Sequence, residues 1–304
     1  MNYHLQLMVK KVLGTDIAER NFAIFPDDTF LVSYPRSGNT WTRFLIANLV
    51  YPNADVSFKN IERLIPDTSS QSTRALRRTP RPRIIKIHEY FDHRCRKIIC
   101  IVRDPRDVVL SYYDFQRKYR HIADGYPLVS YVNDFVSGNL NSRDWGTWGE
   151  NVASWFYTRG KSKDFLLLRY EDMIADPVRE LARAAAFLGL EPDPARIEQA
   201  VQRSAADRMR EMEKTQAKDW VATKNHRTDI PFVRVAQAGG WKEKLPAECV
   251  AQIEAAWGDT MVALGYDLVS ATSHSAISRS TPGSLTESTT ESTTGARSQK
   301  QGAR

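Results

Sequence analysis

Lys86 and His88 stand two residues apart in the apolar run Ile84-Ile85-Lys86-Ile87-His88. Alternate residues of a strand share a face, so this pair sets a cation beside a titratable base. Imidazole has the pKa range to accept a proton from a hydroxyl as it attacks. A lone histidine at a strand end is otherwise only a polar residue in search of a partner; His4, His93, His121, His226 and His274 lack such a setting. The second group is Tyr34-Pro35-Arg36-Ser37-Gly38-Asn39-Thr40-Trp41, which follows the apolar run Phe30 to Ser33 and opens a helical run reaching about Tyr51. A strand, a tight glycine turn and a helix start offer converging N–H groups and a positive dipole end to an anion, and Gly38 allows close approach. Arg36 adds a planar fork suited to phosphate or sulfate oxygens. The plain alternative is a helix cap. The nucleotide P-loop pattern is missed, because it needs a longer glycine spacing and a Gly-Lys-Ser/Thr ending.

The elements that must position these groups are short apolar runs at Phe30–Ser33, Ile84–His88, Ile98–Val102 and Phe165–Arg169. Helical patterns are spread among them over Thr40–Val50, Arg106–Arg120, Val178–Leu188, Pro194–Gln202 and Ala247–Leu264. Strands interspersed with helices imply crossovers and an α/β parallel sheet flanked by helices. Ligands of such sheets bind outside the carboxyl ends of the strands, where the turns after Ser33, Ile87 and Val102 lie.

Several segments, in one order, resemble the cytosolic-type sulfotransferase family. Residues 34–41 are similar to its 5′-phosphosulfate loop, usually TYPKSGTTW, with Arg36 in place of the usual Lys; FAIFPDD (Phe22 to Asp28) matches the approach to it. Residues 79–88 (TPRPRIIKIH) resemble the PRIIKTH strand that carries the family's catalytic histidine. IICIVRDPRDVVLSYYDF (Ile98 to Phe115) resembles the 3′-phosphate motif, usually VRNPKDVAVSYYHF. Gly146-Thr147-Trp148, Trp155, LLLRYEDMIADP (Leu166 to Pro177) and RVAQAGGWK (Arg234 to Lys242) continue the series, so the resemblance covers about Phe22 to Tyr266.

What the resemblance implies is a P-loop-like single domain that transfers a sulfuryl group from 3′-phosphoadenylyl sulfate (PAPS) to an acceptor oxygen or nitrogen, with no metal. Arg36 and the backbone of Ser37, Gly38, Asn39, Thr40 and Trp41 match the part that holds the 5′-phosphosulfate. Trp41 matches the adenine-stacking aromatic, with a core tryptophan as its alternative. Arg103 and Ser111 match the 3′-phosphate pair, Tyr170 the adenine-contacting tyrosine and Arg234 the clamp near the end. Lys86 matches the lysine on the phosphosulfate bridge and His88 the general base. Phe22 matches a position lining the acceptor pocket; Tyr90, Trp145 and Trp148 lie in or beside segments approaching the same mouth, with core packing as the alternative. Sulfuryl transfer, like phosphoryl transfer, is in line and rests on positioning and electrostatics.

The chain departs from the family in places. Glu89-Tyr90 replaces Leu-Pro after the histidine, Asn151 replaces a common histidine, and an aromatic against the adenine is lost near Ala206 while Ser204 keeps a hydroxyl. RKGxxGDWK becomes RVAQAGGWK, so one cation and one glycine of the 3′-phosphate clamp are gone. Arg106 and Asp107 read as a solvated first helical turn. Glu171 and Asp172 read as a capping or bridging pair rather than a catalytic one.

With 304 residues, 42% of them hydrophobic, and a formal net charge of +7, the chain has a substantial core and attracts anions without thereby binding nucleic acid. Ser70 to Arg83 is basic, carries Arg74, Arg77, Arg78, Arg81 and Arg83, and reads as a solvated loop or as a rim for an anionic donor or acceptor. It contains no aromatics of the kind a nucleic-acid binder interleaves. A kinase would need a Walker lysine and a magnesium carboxylate, neither of which is in place. A nucleotide-binding regulatory module is the remaining rival, favoured by RVAQAGG and opposed by Lys86 and His88.

Three cysteines without metal or redox spacing (Cys95, Cys100, Cys249) suit a reducing compartment, with Cys100 expected as a buried thiol. MNYHLQLMVKK lacks a signal-peptide core and no apolar run can span a bilayer, so a cytoplasmic enzyme without membrane insertion is expected. The Ser/Thr-rich end sets a domain at residues 1–269 and a disordered tail at 270–304. The family's dimer motif is not evident after Trp241, which leaves the oligomeric state open. Aromatic walls favour a small, partly apolar hydroxyl or amine acceptor, and the basic segment adds a pull toward one with a nearby acid or sugar.

Overall fold

The apolar runs form a four-stranded parallel sheet in the order β2-β1-β3-β4 in a computed structural model, which describes residues 9–140, 145–233 and 237–270. The strands are β1 (Thr29–Ser33), β2 (Ile84–Ile87), β3 (Lys97–Val102) and β4 (Phe165–Arg169). Leu31 pairs with Lys86 on one side and with Ile99 on the other. Alternation sends Phe30, Val32, Ile85, Ile87, Ile98, Cys100 and Val102 into one apolar layer and Leu31, Ile84, Ile99, Ile101 and Leu168 into the other. Both faces are buried, which is why these strands read as continuous apolar runs. The outer edge of β2 is covered by Pro66–Thr68, whose backbone exchanges hydrogen bonds with Lys86.

The helices are α1 (Asn39–Val50), α2 (Ile61–Leu64), α3 (Thr73–Arg78), α4 (Pro105–Lys118), α5 (Leu128–Ser137), α6 (Trp148–Arg159), α7 (Tyr170–Ala175), α8 (Pro177–Leu188), α9 (Pro194–Arg203), α10 (Ala206–Gln216), α11 (Trp241–Lys244) and α12 (Ala247–Ala263). Their starts are chemically explicit. Asp104 accepts from Arg106 N ahead of Pro105, Asp176 and Asp193 cap the proline-led α8 and α9, and Thr147 with Glu150 forms a capping box at α6. Helices α1, α8 and α9 pack on one side of the sheet around Phe44, Leu45 and Leu181, and α4, α6 and α12 pack on the other around Trp155 and Trp257.

The basic segment differs from a simple loop. Ser72 caps α3, Arg83 is buried against Asp28, and Arg81 pairs with Asp27 at the surface. Its charge is thus partly spent on the FPDD approach to β1. The described chain folds as one unit up to Ser270, where buried Glu254 accepts from the N–H groups of Val269 and Ser270. The segment beyond Ser270 lies outside the described residues. All three cysteines are buried and unpaired, and burial pushes the Cys100 thiol up to about 12. Among the described residues no helix is long and apolar enough to cross a membrane, and no group of three or more His, Cys, Asp or Glu could hold a metal ion.

Candidate active site

The turns after β1, β2 and β3 open into a cavity of about 640 Å³ at the carboxyl edge of the sheet. The first turn is set by backbone conformation. Arg36 and Gly38 both take positive φ (68° and 95°), and a Cβ on Gly38 would lie 2.4 Å from the Tyr170 ring. Only glycine tolerates both demands, so the start of α1 closes tightly over Tyr170. Trp41 lines the cavity with its ring edge-on to Tyr170, centroids 6.0 Å apart, and donates Nε1 to the Ser204 carbonyl at 3.0 Å. Thr40 lines the wall as well, and so does Asn39, whose amide donates to Ser33 Oγ. Ser37 is fully buried behind the turn.

Arg36 turns across the cavity. Its Nε donates to Ser111 Oγ at 3.2 Å, and its guanidinium lies 5.0 Å and 4.7 Å from the ring centres of Phe115 and Phe232. Arg103, just past β3, stacks over Tyr170 at 4.4 Å and donates to the carbonyls of Arg36 and Gln237. The structure therefore brings Arg36, Ser111, Arg103 and Tyr170 to one cavity from three separate segments. Arg234 lies outside the described residues.

His88 lines the same cavity. Its Nδ1 lies 2.6 Å from the carbonyl oxygen of Ser33. A carbonyl can only accept, so Nδ1 carries the proton and Nε2 keeps a free lone pair. The backbone on both sides of the ring is tied down: His88 N donates to the Glu89 carboxylate at 2.8 Å, and the His88 carbonyl accepts from Asn151 at 2.8 Å. Burial, and then the charge of Lys86, push the His88 pKa down to about 3, so the ring is neutral at ordinary pH. Burial also raises the Glu89 carboxyl.

Lys86 is placed differently from the expectation that it faces the donor. It is 6% exposed within an apolar strand, is not among the cavity-lining residues, and its Nζ sits 2.5 Å from Asp67 Oδ2. A lysine held in that layer needs an opposite charge, and Pro66–Thr68 delivers one. Burial raises the Asp67 carboxyl, but Lys86 and Arg43 more than offset it and hold it well below the usual range. Asp67 itself faces the cavity, as does Glu62, which pairs with buried Arg43 at 3.1 Å.

Three expected acceptor-pocket residues lie elsewhere. Phe22 packs in the core beside Phe30, ring centres 6.4 Å apart. Trp148 is fully buried against Trp257 and donates Nε1 to the Arg103 carbonyl at 3.2 Å, so it backs Arg103 rather than lining the mouth. Tyr90 covers Gly146, where a Cβ would meet its hydroxyl, and is not among the lining residues. In each case the large apolar ring is taken up by packing. Trp145 does line the cavity, 6.2 Å from the His88 ring.

Sequence reasoning missed the wall formed by Tyr112 and Phe115 of α4, Tyr119 just beyond its end, and Phe232. Ser111, Phe115 and Tyr119 recur at four-residue spacing on one helix face, a signal that was available. Asp67 and Glu62 carried none. The pair read as a solvated helix turn is buried: Arg106 bridges Asp104 and Glu254, and Asp107 accepts from Gly239 N at 2.7 Å and Trp241 N at 3.0 Å. Glu171 bridges, as read, between Asp104 N and the Tyr266 hydroxyl.

The four-stranded parallel sheet with helices packed on both faces is an α/β fold of the P-loop-like kind. The family model described as the sulfotransferase domain matches residues 26–265. The chain belongs to the sulfotransferase family and is a PAPS-dependent enzyme of that family. It is 27% identical to Sulfotransferase 1C2 of Oryctolagus cuniculus over 241 residues, 73% of this chain and 79% of the relative. It is 26% identical to Sulfotransferase 1C2 of Homo sapiens over 264 residues, covering 78% and 87%. Among solved structures it shares its fold with mouse sulfotransferase SULT7A1 complexed with PAP (TM-score 0.66, 22% identity, covering 84% of this chain and 90% of that one). Retinol dehydratase in a complex with retinol and PAP has the same TM-score, 0.66, at 20% identity, covering 83% and 85%.

Proposed function

We propose that this enzyme moves a sulfuryl group in line from PAPS to a hydroxyl or amine of a small, partly apolar acceptor, with His88 as general base. The observation that carries this reading is the His88 Nδ1–Ser33 carbonyl contact of 2.6 Å, which leaves Nε2 as the acceptor in a cavity that also holds Arg36 and Arg103. The acceptor proton passes to Nε2 as the new O–S or N–S bond forms, and the bridging S–O electron pair leaves with the 5′-phosphate. In this reading Arg36, in the loop matched to the 5′-phosphosulfate, is the cation that meets that charge.

The donor fits two orphaned atoms. Ser37 Oγ and Arg103 Nε are buried without a hydrogen-bond partner, one in the loop matched to the 5′-phosphosulfate and the other in the residue matched to the 3′-phosphate. Phosphate oxygens would satisfy both. In this reading Lys86 acts from behind the wall, keeping His88 neutral, rather than on the sulfate bridge.

For the acceptor, the aromatic wall of Tyr112, Phe115, Tyr119, Trp145 and Phe232 supports a small, partly apolar molecule. No arginine of the Ser70–Arg83 segment lines the cavity, whereas Glu62 and Asp67 do, which favours an acceptor without an acid group. A cytoplasmic setting is supported by three buried, unpaired thiols. Incubation with sulfur-labelled PAPS and a panel of phenols, hydroxysteroids and oligosaccharides tests the reading. Label on a phenol or steroid is expected; label only on oligosaccharide would overturn the small-acceptor part, and none on any acceptor the transfer itself.

A further inference from the structure

We propose that Asp107 is a positioning residue for the donor: it locks the strap Gln237–Trp241 against Arg103 and so builds the pocket for the 3′-phosphate. The proposal rests on the reading of PAPS as donor and goes beyond it, because Asp107 carries no role in that reading.

Asp107 lies in the first turn of α4, 4% exposed, and lines the cavity. Its two oxygens are divided between two backbone donors of a segment more than a hundred residues away: Oδ2 takes Gly239 N at 2.7 Å and Oδ1 takes Trp241 N at 3.0 Å. Gly239 is in the left-handed region (φ 80°), so the two N–H groups converge on one carboxylate. Arg106 grips the same segment from the neighbouring position, its guanidinium 3.8 Å from the Trp241 ring centre. Arg103 closes the arrangement, donating Nη2 to the Gln237 carbonyl at 3.1 Å with its guanidinium 4.0 Å from Asp107. In this chain the strap reads RVAQAGGW and lacks one cation and one glycine of the usual clamp.

The sign of the effect separates positioning from simple electrostatics. A carboxylate 4.0 Å from Arg103 repels an incoming phosphate dianion, so removing its charge should tighten binding if charge were all that mattered. If Asp107 positions the strap, removing the charge loosens two charge-assisted hydrogen bonds and weakens binding.

The test is calorimetric titration of Asp107→Asn with 3′-phosphoadenosine 5′-phosphate and with adenosine 5′-phosphate, beside Arg103→Ala. Weakening of the first by about tenfold or more is expected, with the second within about threefold. Unchanged or tighter binding of 3′-phosphoadenosine 5′-phosphate overturns the proposal. Should Asp107→Asn not fold, Asp107→Glu decides: it keeps the charge but moves the carboxylate past the two N–H groups. Selective loss supports positioning, and unaltered selectivity overturns it. If Arg103→Ala is selective and the Asp107 variants are not, only this proposal falls. Equal losses of both nucleotides on Arg103→Ala remove the 3′-phosphate reading and this proposal with it.

Discussion

Asn151 holds His88 by its backbone: one amide nitrogen donates to the His88 carbonyl at 2.8 Å and to the Trp145 carbonyl at 3.1 Å. Helix α6 thereby fixes the base and an aromatic wall residue with a single buried group, at a position where the family more often has histidine. Asn151→Ala should lower turnover about tenfold, because a base displaced by a fraction of an ångström loses its alignment, while donor affinity stays constant. Steady-state kinetics with a donor titration checks this; a change confined to donor affinity would contradict it.

The Asp67–Lys86 pair is buried, with side chains 13% and 8% exposed, so removing one partner strands the other. Asp67→Asn should cost about 3 kcal/mol of stability, and adding Lys86→Met should recover most of it. Urea midpoints of the two variants decide. A double variant no more stable than Asp67→Asn would show that the pair is not the source of the loss.

A charge series tests the acceptor end. Phenols of one size carrying an ammonium, a neutral or a carboxylate substituent should be used in that falling order of kcat/KM, because Glu62 and Asp67 line the cavity and no arginine of the Ser70–Arg83 segment does. Preference for the carboxylate would reverse this account of the wall.

His88 also leaves a mark on stability. Its folded pKa of about 3 is below the ordinary 6.5, so between these values the unfolded chain binds the proton and the native state does not. Stability therefore falls as pH drops from 6.5 toward 3, and His88 contributes no pH dependence above 6.5. His88→Gln should flatten that slope, read as urea midpoints across the window. Parallel profiles for the two proteins would mean that the ring titrates normally.

Much of this was legible in local sequence. The four strands announce themselves because both faces are buried, and α1, α4, α8, α9 and α12 show caps or periodicity, all within two residues of the expected bounds. Arg36, Gly38, Asn39, Thr40, Trp41, Arg103, Ser111 and Tyr170, each singled out from its local motif, line one cavity. What could not be read depends on distant partners. Arg106 and Asp107 look like a solvated helix turn until residues 239–254 fold back on them. Helix α3 is six residues long, too short for a period, and Arg83 looks like loop charge until Asp28 is placed beside it. Trp148 and Phe22 follow motif segments near the mouth, but side chains of that size were claimed by the core.

The most direct measurement is turnover of His88→Asn at saturating PAPS and phenol acceptor, with donor affinity measured in parallel. Asparagine can keep the bond to the Ser33 carbonyl but cannot take the acceptor proton. The account predicts a fall of roughly 10²–10⁴-fold with donor affinity little changed. Near-normal turnover would contradict His88 as the base.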